Sequence, residues 1–374
     1  MLNRPELLKQ LQDVSDALFI DHHQEYDLAA YYWSAIAQDS TFPYKIRTVS
    51  SQWPLPFWTG KLDDYHDITR DFLASGYRVC AVDGSQIYPD KHQGTTCSLI
   101  NTGLVSIEYS PTGSRVEFSS TPTVYMDEQE ESTIAFSAEL INCKRQEYEL
   151  QGALTHCTHR RAQGKELPVL LFDGSLIFWH LESKDVALKI TFLSCYMTLL
   201  EQLYQQGVLM AGYISLPKAK ELVNLVRIAE QAKLVKAPEG TCDHVIDGPL
   251  LARFLQEGQR TTVFKSGSSI VDSYPDHLKP YFFYMHVGQE VARIELPAWI
   301  ATDDEKTNQV AAVIYDQAIK GRGYPVVLAE AHEQAVIKGP DRDFFYQCIY
   351  KLGVDAKKKI MLSPKNLKKK GIGI

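Results

Sequence analysis

Alternating and periodic apolar positions along the chain predict a succession of strands and helices. Residues 79–82 form a short apolar run that is typical of a buried strand and that ends on Asp83. Alternation of apolar and polar residues predicts two further strands over 99–110 and 115–125, joined by a short turn. A fourth apolar run, 169–172, again ends on an acid. The pattern therefore indicates a strand meander followed by another buried strand.

Helix-like spacing of apolar residues occupies much of the remaining chain. The segments predicted to be helical are 5–38, 133–162, 185–206, 217–232, 304–320 and 341–352. A short strand at 209–216 and a hairpin formed by 281–287 and 291–299 add to the sheet. The segment 324–337 is ambiguous, since it begins like a strand and continues with helix-favouring residues. These elements predict an α/β fold with a mixed sheet flanked by helices.

The same tripeptide follows two of the apolar runs. Asp83-Gly84-Ser85 comes after the first run, and Asp173-Gly174-Ser175 comes after the later one. Burying a carboxylate at the end of such a strand is costly unless a cation, a donor or water compensates it. Asp-Gly is also common turn chemistry, so either motif alone has a purely structural explanation. The matched pair predicts two halves of one acidic site.

Composition and charge exclude several classes of protein. The chain has 374 residues, of which 45% are hydrophobic and 23% charged, as is ordinary for a soluble globular protein. A formal net charge of −7 argues against binding nucleic acid by bulk electrostatics, although a divalent metal can reverse the field locally. Seven cysteines without a CxxC motif indicate a reducing compartment. The N-terminus shows no apolar signal segment, so we expect a cytoplasmic protein.

Three regions are expected along the chain. Residues 1–65 form an N-terminal helical and irregular extension, in which the Pro- and Trp-rich segment 39–65 is expected to be an irregular connector. Residues 66–355 form a single α/β domain with insertions. Residues 356–374 form a basic tail with seven lysines and no acid after position 356. Basic tails commonly bind nucleic acid, and a simply solvated tail explains the lysines equally well.

A metal site built on the two aspartates needs a third acid, and the predicted helix 133–162 offers two. A meander, a helix and a strand bearing a second acid fit a ribonuclease-H-like sheet, in which carboxylates hold one or two divalent metals. Mg²⁺ and Mn²⁺ prefer oxygen ligands, and clustered carboxylates repel one another unless a cation binds. Glu147 lies on the apolar stripe of the helix and Glu149 on a more polar stripe. An ordinary solvated role stays open for each glutamate.

Together with a C-terminal segment, these motifs resemble the NurA nucleases. The third motif is the segment 323–332, which reads GYPVVLAEAH, and the resemblance covers roughly residues 79–350. It implies a ribonuclease-H-like, Mn²⁺-dependent nuclease, for which Mg²⁺ is also possible. It further implies a homodimer that works with a HerA-type hexameric DNA translocase in DNA end processing. The implied activities are those of a 5′→3′ exonuclease and a single-strand endonuclease.

The resemblance also implies the residues of the site. Histidine can ligate Mn²⁺ or carry a proton, and tyrosine can orient water or phosphate through its hydroxyl. Glu147 stays an alternative to Glu149, because the two positions are only two residues apart. The implied metal ligands are Asp83, Glu149, Asp173 and His332, and Tyr324 joins them as a catalytic residue.

Two other functions stay open at this stage. One is a catalytically silent ribonuclease-H-like scaffold or regulator of a DNA translocase, and the other is an RNA-directed hydrolase that uses the same residues. Retention of both aspartates, the tyrosine and the histidine argues against the silent module. The chain has no GxxxxGK[ST] motif, so any ATP-driven movement must come from a partner. The candidate phosphate contacts are Lys218, Lys220 and Arg293.

Overall fold

A mixed β-sheet with helices packed on its faces forms the body of the protein in the computed structural model, which describes residues 2–15, 21–49, 51–89, 97–126, 136–235 and 240–356. The strands are β1 (Phe57–Trp58), β2 (His66–Asp67), β3 (Tyr77–Ile87), β4 (Cys97–Ser110), β5 (Gly113–Met126), β6 (Val169–Asp173), β7 (Met210–Ile214), β8 (Gln259–Arg260), β9 (Phe264–Lys265), β10 (Pro280–His286) and β11 (Val291–Pro297). The helices are α1 (Arg4–Asp13), α2 (His23–Gln38), α3 (Phe42–Arg47), α4 (Ala138–Ala162), α5 (Val186–Gln205), α6 (Glu221–Gln231), α7 (Asp247–Leu251), α8 (Ala298–Ala301), α9 (Asp304–Lys320), α10 (Val326–Ala335) and α11 (Gly339–Asp355). The predicted α/β architecture is confirmed.

The order of five strands defines the type of sheet. Strands β3, β4 and β5 form an antiparallel meander, and β6 pairs in parallel with the free side of β3. Strand β7 pairs in parallel with β6, which gives the order β5-β4-β3-β6-β7. This is the ribonuclease-H-like arrangement that the sequence predicts. Antiparallel β11 and β10, followed by short strands, extend the sheet beyond β7.

Helices α4 and α10 cover opposite faces of the central strands. Thr102 of β4 faces α4, because its methyl carbon lies 3.5 Å from where a Cβ on Gly152 of α4 would stand. The next residue, Gly103, faces α10 with no side chain between strand and helix. Successive residues of a strand point to opposite faces, so the two helices enclose the sheet at this level. The main hydrophobic core includes buried residues of β3, β6, β7, α4, α5 and α9.

The N-terminal region packs on a second hydrophobic cluster. Helix α2 buries Tyr32, Trp33 and Ile36 among residues of α6 and α7. Within 39–65, which we expected to be irregular, the structure contains α3 and β1, and β1 pairs with β9 at the edge of the sheet. Pairing with a strand two hundred residues away is a tertiary contact that local composition does not report. The domain boundaries stay predictions, and the lysine tail from residue 357 lies outside the described residues.

Some predicted elements differ in the structure. The segment 5–38, predicted to be helical, contains two helices, α1 and α2, and residues 21–22 before α2 are not helical. Strand β3 does not end on Asp83 but continues to Ile87, because every residue from Asp83 to Ile87 pairs with β4. The ambiguous segment 324–337 contains a helix, α10, that begins directly after Pro325. Proline fixes φ near the helical value, which suits the start of a helix.

Helix α5 is long and apolar. It has 20 residues and is, by length and composition alone, long and apolar enough to cross a membrane. The helix buries Phe192, Tyr196 and Leu200 in the main core. The Tyr196 hydroxyl donates a 2.7 Å hydrogen bond to the carbonyl oxygen of Cys143 on α4. One face of the helix therefore packs on the core, while Val186 and Ile190 are exposed.

Candidate metal and active site

The residues implied for the site converge at one end of β3 and β6. In the parallel pairing of these strands Val82 lies opposite Phe172, so Asp83 and Asp173 follow at neighbouring positions. Glu149 comes from α4, and Tyr324 and His332 come from the segment that contains α10. Residues far apart in sequence therefore meet because of strand register and helix packing.

Asp83 and His332 are joined by a hydrogen bond. The distance from His332 Nδ1 to Asp83 Oδ2 is 2.8 Å, and the other oxygen of Asp83 accepts a 2.8 Å hydrogen bond from the Gly84 amide. The Asp83 side chain is 16% exposed, whereas that of His332 is 60% exposed. The imidazole is thus anchored at one nitrogen and open to solvent on its other side.

Polar contacts from β3 and β4 fix the C-terminal end of α10. The Ser85 hydroxyl donates to the carbonyl oxygen of Ala335 at 2.5 Å, and the Asn101 amide donates to the same oxygen at 2.8 Å. Ser85 in turn accepts from the Ile337 amide at 3.1 Å. The last carbonyls of a helix lack partners within the helix, so these side chains satisfy one of them. The serine of the first motif therefore positions the helix that carries His332.

Gly103 determines how closely α10 approaches the sheet. It lies opposite Asp83 in the pairing of β3 with β4. A Cβ on Gly103 would stand 2.7 Å from the carbonyl carbon of Gln334 and 2.8 Å from the oxygen of Ala331. These are backbone atoms of α10, so the helix itself would have to move. A glycine at this position permits the contact between His332 and Asp83.

Gly103→Ala should therefore weaken both stability and function. We expect a loss of about 1–3 kcal/mol in the free energy of unfolding, as for other overpacked contacts. Denaturant unfolding measures this loss. The matched control is Gly152→Ala, where a Cβ would make ordinary contacts of 3.5 and 3.7 Å and where alanine favours the helix. Equal stability of the two variants would contradict the role assigned to Gly103.

Arg145 is a member of the site that the sequence did not single out. Its Nη1 lies 2.6 Å from Glu149 Oε1, 3.2 Å from the carbonyl oxygen of Gly84 and 3.9 Å from Asp83 Oδ1. A Cβ on Gly84 would stand 2.7 Å from both the Arg145 Cγ and Glu149 Oε1. The glycine of the first motif thus makes room for the arginine and the glutamate. The spacing of four residues between Arg145 and Glu149 on a helix was the available signal.

The acids of the site carry more negative charge than the protein compensates. Burial raises the pKa of Glu149 to about 8; Arg145 opposes this shift, and Asp83 and Asp173 add to it. Burial likewise raises the pKa of Asp173, while a hydrogen bond from Tyr324 lowers it and the charge of Asp83 raises it. A group of like charges in a partly buried site binds a cation or holds protons. The donor set, three carboxylates with an imidazole, fits a hard divalent cation.

Tyr324 and Asp173 form a second hydrogen-bonded pair in the site, beside that of His332 and Asp83. The tyrosine hydroxyl hydrogen-bonds to Asp173, and burial together with the Asp173 charge raises the pKa of Tyr324 well above its usual value. The ring packs edge-on against Tyr213 of β7, with ring centroids 5.4 Å apart. The Tyr213 hydroxyl donates to Glu290 at 2.9 Å. This supporting tyrosine was also missed, since nothing in its local sequence distinguishes it from a core residue.

The second Asp-Gly-Ser motif is built differently from the first. Strand β6 does end on Asp173, and Gly174 has a φ of +130°, which side chains rarely adopt. The Ser175 hydroxyl donates to Glu295 at 2.7 Å. The predicted strand end is therefore confirmed here, and the serine serves the loop that follows.

Two other residues considered from the sequence do not lie in the site. Glu147 pairs with Lys144 at 2.8 Å and, unlike Glu149, does not line the cleft beside Asp173. Arg293 is only 2% exposed and bonds to Glu221 at 2.7 Å and Glu295 at 2.8 Å. The interpretation of Arg293 as a phosphate contact was wrong, because a strand that looks half exposed in sequence is covered on both faces.

An open cleft borders the acids. Its volume is about 670 Å³, and both Glu149 and Asp173 line it. The lining also includes Trp179, which is 38% exposed, and Lys184. The cleft therefore offers carboxylates, an aromatic surface and a cation side by side.

Comparison with known proteins gives one family and several solved structures. The family model described as the NurA domain matches residues 77–337. A crystal structure of NurA is 11% identical with a TM-score of 0.40 and covers 92% of this chain and 97% of its own. NurA with manganese is 12% identical with a TM-score of 0.36, covering 83% and 96%. NurA bound to dAMP and manganese is 12% identical with a TM-score of 0.37, covering 90% and 94%. No curated protein sequence matches the chain.

Proposed function

Because the chain belongs to the NurA domain family, we propose that it is a divalent-metal-dependent nuclease that hydrolyses phosphodiester bonds of DNA. The observation that carries this proposal is the meeting of three carboxylates, an imidazole and a phenol at one end of β3 and β6. In finer detail, we propose that it acts in the cytoplasm in DNA end processing, as a 5′→3′ exonuclease and single-strand endonuclease.

The carboxylates of Asp83, Glu149 and Asp173 would hold Mn²⁺ or Mg²⁺. The raised pKa values of Glu149 and Asp173 support this assignment, since a bound cation removes the charge repulsion that burial creates. When bound, such a metal activates water and stabilises the charge on the leaving oxygen of a phosphodiester. A NurA structure with manganese is among the solved structures similar to this chain.

His332 would act through Nε2, the ring nitrogen that does not bond to Asp83. The Nδ1–H group donates to Asp83, which leaves Nε2 as the nitrogen that meets a metal or substrate. An exposed imidazole that is oriented by a carboxylate is suited to take up a proton at Nε2 from water and pass it to a leaving oxygen. Asp83 thus has two tasks, holding a cation with one oxygen and orienting the imidazole with the other.

Tyr324 would position groups and not exchange protons. Burial keeps its pKa well above the usual value, so the phenol stays protonated at any working pH. Its hydrogen bond fixes the Asp173 carboxylate. Arg145 keeps part of the Glu149 charge compensated before a metal binds.

The shape of the cleft favours a single strand as the substrate. The half-buried indole of Trp179 lies on the cleft wall near Asp173. Aromatic side chains stack on unpaired bases, whereas bases within a duplex already stack on one another. Lys184 also lines the cleft, but Glu139 pairs with it at 2.6 Å, so a phosphate would have to compete with that acid for its charge.

We also propose the partners implied by the family resemblance. The chain would form a homodimer and would work with a HerA-type hexameric translocase. The absence of a GxxxxGK[ST] motif supports the need for an ATP-driven partner. Whether cleavage requires that partner is answered by assaying the protein with and without it.

The proposed function is tested by cleavage of end-labelled single- and double-stranded DNA and RNA in Mn²⁺, Mg²⁺ or EDTA. We expect degradation of DNA with either metal and none in EDTA, with single-stranded DNA cleaved faster than duplex. Cleavage of RNA alone would favour the RNA-directed hydrolase. No cleavage by the purified protein or by its complex with the translocase would favour the silent scaffold.

A further inference from the structure

A cluster of two histidines and a glutamate lies outside the proposed nuclease site. His22 directly precedes α2, Glu25 lies in the first turn of α2, and His244 belongs to the loop before α7. One ligand atom from each of the three side chains lies within 4.8 Å of the other two. The cluster therefore brings the N-terminal helix and a loop of the main body together through groups that bind transition metals.

The distances between the ligand atoms are close to those of a tetrahedral metal site. His22 Nδ1 lies 3.0 Å and His244 Nδ1 lies 2.8 Å from the same oxygen, Glu25 Oε1. Neighbouring ligands of a tetrahedral Zn²⁺ at 2.0–2.1 Å stand about 3.3 Å apart. Each nitrogen would have to move only a few tenths of an ångström away from the carboxylate oxygen, and the two nitrogens already lie within 4.8 Å of each other.

The two imidazoles would also have to turn. Their rings are stacked, with centroids 4.2 Å apart and planes 17° from parallel, whereas a metal lies near the plane of each ring it binds. The His244 side chain is 62% exposed, so it can rotate at little cost. This exposure also leaves the fourth position of the metal open to water, as in sites with three protein ligands.

The carboxylate is held in place by the backbone. Glu25 Oε2 accepts a 2.9 Å hydrogen bond from the His244 amide, which leaves Oε1 directed at the two rings. Such contacts orient ligands before a metal binds. Burial acts to raise the pKa of Glu25, but hydrogen bonds from His244 and His22 lower it overall, so the ligand is charged at neutral pH. That charge offsets the partial positive charge at the start of α2, which opposes a cation.

Neighbouring residues of α2 contact the same loop region. The Tyr26 hydroxyl accepts a hydrogen bond from the Ile246 amide at 3.4 Å, and Asp27 pairs with Arg253. The cluster therefore lies in an interface that is already formed between α2 and residues 242–253. A metal there would tighten a contact between two parts of the chain that are far apart in sequence.

We propose that His22, Glu25 and His244 form a second metal site of the zinc type, which fastens the N-terminal helix α2 to the loop before α7. Two nitrogens and one oxygen favour Zn²⁺ over Mn²⁺ or Mg²⁺, whereas the carboxylates around Asp83 favour the harder ions. The site is independent of the proposed nuclease activity, because none of its ligands lines the cleft beside Asp173.

The test is a Co²⁺ titration of the full chain, freed of metal, in the Asp83→Ala background. Tetrahedral Co²⁺ absorbs visible light much more strongly than six-coordinate Co²⁺, so the spectrum reports the geometry directly. We expect saturation at one equivalent and displacement by Zn²⁺. His244→Ala and Glu25→Gln should abolish the absorption, and the matched control His23→Ala should retain it, because His23 lies next in sequence but pairs with Asp27.

Thermal unfolding gives a second readout. Saturating Zn²⁺ should raise the melting temperature of the wild-type chain and His23→Ala by roughly 3–5 °C, and that of His244→Ala not at all. The exposed position of His244 makes a folded variant the expected case, which circular dichroism verifies. Absence of the tetrahedral spectrum, or its survival in both His244→Ala and Glu25→Gln, would overturn the proposal. Nuclease assays of His244→Ala keep the two proposals separate, since that variant should cleave DNA normally.

Discussion

Asp83→Asn should lower metal-dependent DNA cleavage on the order of 1000-fold. The change removes one negative charge from the acid cluster and replaces one of the two accepting oxygens of Asp83, which bind the Gly84 amide and His332, by an NH2 donor. The loss should therefore come from weaker metal binding together with a less firmly held imidazole. Initial rates on end-labelled single-stranded DNA at saturating Mn²⁺ measure the effect.

The fold of this variant should be intact. Glu149 has a pKa of about 8 and is largely protonated at neutral pH, so removing the Asp83 charge relieves little repulsion, and the loss of one hydrogen-bond acceptor should lower the melting temperature by a few degrees at most. Asp276→Asn is the matched control, because the Asp276 carboxylate is 94% exposed and pairs only with nearby Lys279. If the activity of Asp83→Asn were within tenfold of this control, Asp83 would not be a catalytic residue.

Glu149→Gln and Glu147→Gln should behave oppositely, although they alter the same helix two residues apart. The first variant should lose cleavage on the order of 100- to 1000-fold, because Glu149 lies beside both aspartates. The second should stay near the wild-type rate, because Glu147 contacts Lys144 and Cys195 and does not line the cleft beside Asp173. The Lys144 and Glu147 side chains are only 24% and 17% exposed, so losing their ion pair should lower stability without removing a group from the site. The opposite result would show that Glu147, and not Glu149, is the acid that α4 contributes to the site.

The pH dependence of Mn²⁺ binding gives an independent readout of the same pair. With a pKa of about 8, Glu149 holds a proton at pH 6–7 in the metal-free protein, and a cation must displace it. The affinity should therefore rise with pH, by at most tenfold per unit for each proton released, and level off above about pH 8. Calorimetric titrations at pH 6, 7 and 8 should show a flatter dependence for Glu149→Gln and an unchanged one for Glu147→Gln.

The two Asp-Gly-Ser motifs show how equal sequences acquire different structures. In the first, β3 continues through the motif because β4 pairs with it as far as Ile87. Gly84 then makes room for Arg145, and Ser85 holds α10. In the second, β6 ends on Asp173, and Gly174 turns the chain with a positive φ. Only the aspartate has the same proposed task in both motifs, that of a metal ligand.

The sequence by itself determined the local elements and the identity of the two aspartates. Apolar periodicity records which face of a segment is buried, so it predicted α9 within its observed bounds and β6 up to Asp173. The motifs also sufficed to indicate the family and, through it, Tyr324 and His332. These are features that neighbouring residues along the chain encode.

Only the tertiary structure decided which groups meet. Glu149 rather than Glu147 faces the aspartates because of the rotation of α4 against β3, and neither glutamate differs locally in a decisive way. Arg293 looked like a surface cation and is buried between two glutamates. Likewise, His22 and His244 are 222 positions apart in the numbering and share one carboxylate oxygen. Register, helix rotation and long-range packing set such distances, and these depend on the whole chain at once.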